Sequence, residues 1–120
     1  MLQRITLLLI TIGIFTLGSG ESAHLSVIQL IATPQKYHRQ QVRVVGFLHV
    51  NFEGNALYLS EGDGKHGITK NALWLEFDED CYRELHNKYV FLEGVFDAQH
   101  HGHLKLYSGK LQVERIILWD

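Results

Sequence analysis

The sequence predicts an all-β fold: a β-barrel of five strands carrying one or two short helices. Three observations predict it. Several segments alternate apolar and polar residues with the period of two that a half-buried strand requires. Two of them carry a glycine at mid-strand, Gly46 in "QVRVVGFLHVNF" and Gly94 in "KYVFLEGVFDA". A glycine there marks a bend, a bulge or a close backbone approach, which suits the tight coiling of a small barrel. Finally, "DEDCYRELHN" interrupts the β pattern between the third and fourth strands.

The elements follow in order. "HLSVIQLIA" places Leu25, Ile28, Leu30 and Ile31 near helical spacing, with Ser26 as a cap and Pro34 as a stop or kink, so a short helix is expected over about 25–32. In the first strand Val42, Val44, Leu48, Val50 and Phe52 share one face, and Arg43, Val45, Phe47, His49 and Asn51 the other. "EGN" turns the chain into "ALYLS", an antiparallel second strand, and "NALWLEF" is the third. Asp78 caps a helix with acids in its first turn and His86 near its end, which complements the helix dipole. "KYVFLEGVFDA" is the fourth strand, "QHHGH" a turn, and "LKLYSG" with "KLQVERIILW" completes the β set. Helix, three strands, helix, then two or three strands is the order of the OB-fold, a five-stranded Greek-key barrel. Another small α+β barrel is the alternative.

The N-terminus reads as an export signal. Arg4 is followed by the uncharged run "ITLLLITIGIFTLG", which ends in the small residues Gly18, Gly20 and Ser22. The run is short for a membrane span, which takes about 20 residues. The expected division is a cleaved signal peptide over residues 1–22 and a barrel domain over 23–120, in a periplasmic or secreted protein. The membrane is then reached only through an uncleaved leader. Without its first 20 residues the chain has 10 basic and 13 acidic residues. That acidic balance disfavours nucleic acid as a partner, because phosphate contacts call for a basic surface. Cys81 is the only cysteine, so neither an intramolecular disulfide nor a four-cysteine zinc site can form. It is read as a buried or half-buried helix residue.

"SEGDGKHGITKN" contains G-x-G-x-x-G at Gly62, Gly64 and Gly67. A dinucleotide loop must leave a parallel strand and enter a helix whose amides face the pyrophosphate. Here strands are expected on both sides, and His66 after Lys65 spoils a P-loop. The expected reading is a loop whose glycines turn the chain, with no dinucleotide bound.

The stretches "LIATPQKYHRQQVRVVGFLHVNFEGNALYLS", "GITKNALWLEF" and "GVFDAQHHGHLKLYSGKL" resemble a group of small secreted bacterial proteins with an OB-like barrel. That resemblance spans essentially the whole chain after the leader. It implies the barrel and a bacterial envelope setting, and it transfers no catalytic residue.

Two clusters carry chemistry. Phe47, His49, Tyr58 and Trp74 lie off the main apolar faces of the first three strands, bordered by Lys70 and Asn71. In OB barrels the face of strands two and three binds oligonucleotides or oligosaccharides, so these six are the candidate ligand site. Trp74 packed in the core is the competing reading. His100, His101 and His103, with Asp97 nearby, are candidate zinc or copper ligands if the turn is extended, since both metals accept imidazole. No catalytic residue is assigned: G-x-S-x-G and H-E-x-x-H are absent. The leading expectation is a non-catalytic binding module of the bacterial cell envelope for a protein partner or an oligomeric ligand. A periplasmic zinc- or copper-binding protein is the alternative, and a metal-dependent hydrolase the remote one.

Overall fold

A computed structural model describes residues 24–52, 54–78 and 81–120. The strands are β1 (Leu25–Ser26), β2 (Gln41–His49), β3 (Ala56–Tyr58), β4 (Ala72–Glu76), β5 (Lys88–Asp97) and β6 (Lys110–Leu118). Five of them close a barrel in the order β2-β3-β4-β6-β5 and back to β2. β4 and β6 run parallel, with Leu75 opposite Leu111, and the other barrel pairs are antiparallel. This is the expected mainly-β, OB-like barrel. β1 lies outside it, parallel to β2 at Val44 and Val45.

Alternation builds the core as expected. Val42, Val44 and Leu48 of β2 and Val90, Leu92 and Phe96 of β5 point inward and are fully or almost fully buried. Leu57, Leu73, Leu75 and Leu111 meet them. Both mid-strand glycines sit where two backbones close. A Cβ on Gly46 would lie 2.7 Å from Leu57 Cγ and 2.8 Å from the Tyr58 carbonyl oxygen, and one on Gly94 would collide with the Gln112 carbonyl oxygen. Opposite Gly94 the β6 register shifts between Val113 and Arg115, a bulge that bends the strand around the barrel.

The helices depart from expectation in detail. Helix α1 (Val27–Ala32) buries Val27 and Leu30, while Ile28 faces out. Gln29 Oε1 accepts from the Ser26 N–H at 2.8 Å and fixes the start of this helix. Pro34 does not only stop α1; it occupies the first position of a second short helix, α2 (Pro34–Tyr37), where its missing N–H costs nothing. Among the described residues the segment before β5 holds a single 3-10 turn, Arg83–Leu85, rather than a longer helix. Too few apolar residues there pack inward to hold a costly helix nucleus. Cys81 is exposed, not buried. Phe52 lies beyond the end of β2 and is exposed, and "LKLYSG" is loop rather than strand.

The glycine-rich stretch is the largest correction. It is a helix, α3 (Glu61–His66), not a loop. Ser60 Oγ accepts from the Asp63 N–H at 3.2 Å, acids fill the first turn and Lys65 and His66 the last. Gly67 ends it in the left-handed region at φ 63°. These are ordinary cap signals, masked by two interior glycines that each cost about 1 kcal/mol against alanine. Gly64 is there for a reason: its Cβ would lie 2.9 Å from Phe47 Cδ2, so the helix lies flat on Phe47 and Tyr58. Gly62 meets only Ser60 Oγ, at 3.9 Å.

Two substitutions in one helix are therefore expected to act in opposite directions. Gly64→Ala overpacks Phe47 and lowers stability by about 1–3 kcal/mol. Gly62→Ala raises it by up to about 1 kcal/mol. Urea unfolding of both variants checks this, and the same sign for both would refute the packing of α3.

Candidate functional site

The outer face of the barrel carries a continuous strip of rings. It starts at His86, just before β5, whose ring lies 4.9 Å from that of His49 at the end of β2. His49 is edge-on to Tyr58 of β3 at 6.1 Å. The Tyr58 and Tyr107 hydroxyls are hydrogen-bonded. Tyr107 lies 5.3 Å from Trp74 of β4, and His103 stacks on Trp74 at 6.3 Å with 25° between the planes. Antiparallel pairing puts Ala56 opposite Trp74 and Tyr58 opposite Ala72, so small residues leave room for the rings beside them.

Two loops converge on Trp74, those over residues 50–55 and 98–109. A Cβ on Gly54 would stand 3.1 Å from Trp74 Cζ3 and 3.3 Å from the Tyr107 oxygen. Gly102, at φ 69°, lies against the base of the indole, where a Cβ would be 2.6 Å from Trp74 Cβ. Both glycines thus let backbone seat on the ring edge. Trp74 itself is half-buried on the outer side of the barrel, not in the core.

Backbone bonds fix the strip. His86 Nδ1 accepts from the Val50 N–H at 2.9 Å. That places the proton of a neutral His86 on Nε2. Asn51 Nδ2 lies 3.3 Å from His49 Nε2. The Trp74 N–H donates to the Gly109 carbonyl and the Tyr107 N–H to the His101 carbonyl. Burial lowers the pKa of His49 below 6.5, and the neighbouring His86 lowers it further. Burial raises the pKa of Tyr58 above 10, as do the charge and hydrogen bond of Tyr107. Tyr107 is also raised by burial, partly offset by the bond from Tyr58. These directions favour the uncharged forms of His49, Tyr58 and Tyr107.

The structure brings together three of the six candidates, His49, Tyr58 and Trp74. Of these, Tyr58 is buried beneath α3, leaving its edge to the strip. Phe47 does not reach the surface: it is buried under Gly64, edge-on to Tyr89 at 5.3 Å. Asn71 is tied to α3, donating to Asp63 Oδ2 at 3.3 Å. Lys70 is exposed in the turn before β4, and its carbonyl accepts from Ser108 Oγ. Tyr107 and His86 complete the strip but carry no local sequence signal. Tyr107 sits in what reads as a strand, His86 in what reads as a helix end, and both arrive through long-range packing.

The histidine turn is not extended. Positive φ at Gly102, Leu104 and Lys105 reverses the chain and separates the side chains. His101 Nδ1 contacts the Tyr107 carbonyl at 2.9 Å, His100 Nδ1 accepts from the Gly102 N–H, and His103 lies on Trp74. Asp97 Oδ1 accepts from the Gln99 N–H and faces His38 Nδ1 at 3.8 Å. Among the described residues no three His, Cys, Asp or Glu side chains are grouped to hold a metal ion. His100, His101, His103 and Asp97, the residues expected for zinc or copper, thus each take a different partner and are not grouped together.

No protein-family model matches this chain, and no curated protein matches it. Among solved structures it is similar to an OBody, AM3L15, bound to hen egg-white lysozyme. The TM-score is 0.51 at 15% identity, covering 85% of this chain and 97% of the other. At that identity the likeness concerns the fold alone. Among the described residues no helix is long and apolar enough to cross a membrane.

His49 is expected to titrate below 6.5 when its ring protons are followed by NMR. Replacing His86 by Gln is expected to raise that value without restoring it, because burial is the larger cause. The folded pKa is depressed, so the contribution of neutral His49 to stability is complete above 6.5 and lost as pH falls through the lowered value. A His49 pKa at or above 6.5 would contradict the geometry of the strip.

Proposed function

We propose that this chain is a non-catalytic binding module of the bacterial cell envelope. Its protein partner or oligomeric ligand is held across β3 and β4, on the strip from His49 to His103. The observation that carries the reading is the strip itself. Half-buried His49, Tyr107 and Trp74, linked through the buried Tyr58, are lined up on the outer side of an OB-like barrel, between the two loops that flank the ligand face in such folds. Half-exposed rings with polar edges suit contact with flat or apolar groups, and hydrogen bonding at their rims. The uncharged state of His49 and of the two tyrosines, together with the acidic balance of the chain, favours a neutral or apolar ligand over a polyanion. The OBody offers an analogy for a protein partner, being an OB-fold scaffold bound to lysozyme. The export signal read in residues 1–22 and the resemblance to secreted bacterial proteins support the envelope setting.

Photo-crosslinking from position 103 in the bacterial envelope, paired with glycan-array binding of the purified protein, tests the reading. One discrete protein adduct, or one class of oligosaccharide, is expected. Trp74→Ala should weaken either about tenfold or more, as loss of a stacking ring does. His103→Ala should weaken it less. Circular dichroism confirms folding of both variants. Binding that is undiminished in folded Trp74→Ala would overturn the assignment of the strip.

A further inference from the structure

A second outer face, on the opposite side of α3 from the ring strip, is built from cross-strand rows. Arg43, Glu93 and Arg115 stand opposite one another across β2, β5 and β6, and Val45, Phe91 and Ile117 form the next row. Tyr89 and Trp119 follow, joined by a backbone bond from the Trp119 N–H to the Tyr89 carbonyl. His24 closes the patch, its ring 5.1 Å from Trp119 and 6.3 Å from Phe91, while Phe91 and Trp119 stack with 14° between their planes. Ile117, Trp119 and Tyr89 keep 44%, 41% and 40% of their surfaces exposed. The charged row borders this patch. Glu93 is shared by both arginines, at 3.0 Å from Arg43 and 2.7 Å from Arg115, and Glu114 beyond them accepts from Gln41 at 2.6 Å.

The position of this face in the chain says what meets it. His24 is part of the patch, and the uncharged apolar run over residues 5–18 ends just before it. Six residues lie between Leu17 and His24, seven chain steps in all. A chain that long spans at most about 25 Å when fully extended. While the apolar run is in a bilayer, the His24 end of the barrel is therefore held close to its surface. Trp and Tyr are the side chains that favour the membrane–water boundary, and long arginine side chains suit the same boundary because their apolar stems lie along it while the charged heads stay in water.

We propose that, in the chain that still carries its leader uncleaved, the outer face of β2, β5 and β6, with His24, rests on the lipid surface into which the apolar N-terminal run inserts. The ring strip is then left free for its partner. This inference does not depend on the binding-module reading, because the two use different faces.

The test places the full chain carrying Trp74→Phe in vesicles of phosphatidylcholine with a minority of phosphatidylglycerol, so that Trp119 is the only indole. Its emission is expected to shift to shorter wavelength and to be quenched by dibrominated phosphatidylcholine. Quenching by aqueous iodide should fall at least about threefold, as for an indole at the headgroup boundary. Unchanged iodide quenching would overturn the proposal. So would protection from iodide without quenching by brominated lipid, which would mean that a second copy or the N-terminal run itself covers the face. If Trp74→Phe does not fold, a spin label at Ile117→Cys in a Cys81→Ser background gives the same decision. Preferential collision with oxygen supports lipid contact, and preferential collision with a water-soluble nickel reagent overturns it.

Discussion

Closure of the barrel between β2 and β5 is the constraint on which everything else rests. The antiparallel ladder runs from Gln41 opposite Val95 to Leu48 opposite Lys88. β2 must also pair with β1 and β3 along the same length, so it curves strongly and passes from one neighbour to another. Such curvature brings backbones closer than a side chain permits. Gly46 and Gly94 stand at those places, and a Cβ at either would meet the neighbouring chain. With closure, the alternate residues of five strands turn inward to one core, and every other residue is left to make an outer surface. Closure leaves only short stretches of strand edge, such as the far side of β6 beyond Gln112.

The outer surface is then divided by one short helix. α3 lies on Phe47 and Tyr58 because Gly64 has no side chain to hold it away, and its first N–H donates to the Tyr89 hydroxyl at 3.0 Å. On one side Tyr58 passes the ring network on to Tyr107 and Trp74. On the other, Phe47 passes it to Tyr89 and the β5–β6 face. Two aromatic surfaces of different character result. The strip over β3 and β4 has hydrogen-bonded hydroxyls and imidazoles, and it is framed by loops. The face over β5 and β6 is plainer, with aliphatic and aromatic side chains and a border of arginines. The first suits recognition of a specific group, the second a broad apolar boundary.

The framing loops owe their shape to backbone conformation more than to side-chain bonds. Gly102 adopts a conformation that only glycine reaches easily, and Leu104 and Lys105 follow with positive φ, which costs non-glycine residues energy. This sharp course takes the histidines of the turn away from one another. It also delivers His103 and Tyr107 to the indole, with ring centroids 6.3 and 5.3 Å from it. The same backbone that parts the histidines therefore assembles a ring site.

The sequence by itself determined the barrel, its core and its glycine positions. These depend on a period of two and on residues whose backbone freedom is read one position at a time. It also marked His49 and Trp74 as off the core faces, since alternation assigns a side to each strand residue; Tyr58, read the same way, is buried with Phe47 in a second apolar cluster. It did not determine that "EGDGKHG" is helical, because the value of Gly64 lies in Phe47, a residue 17 positions away that no local pattern connects to it. Nor did it determine that Phe47 is covered, that Tyr107 and His86 join the strip, or that His100, His101 and His103 part company. Those were decided by tertiary structure alone. Each depends on which segments closure of the barrel brings side by side, and that adjacency is a property of three-dimensional packing rather than of spacing along the chain.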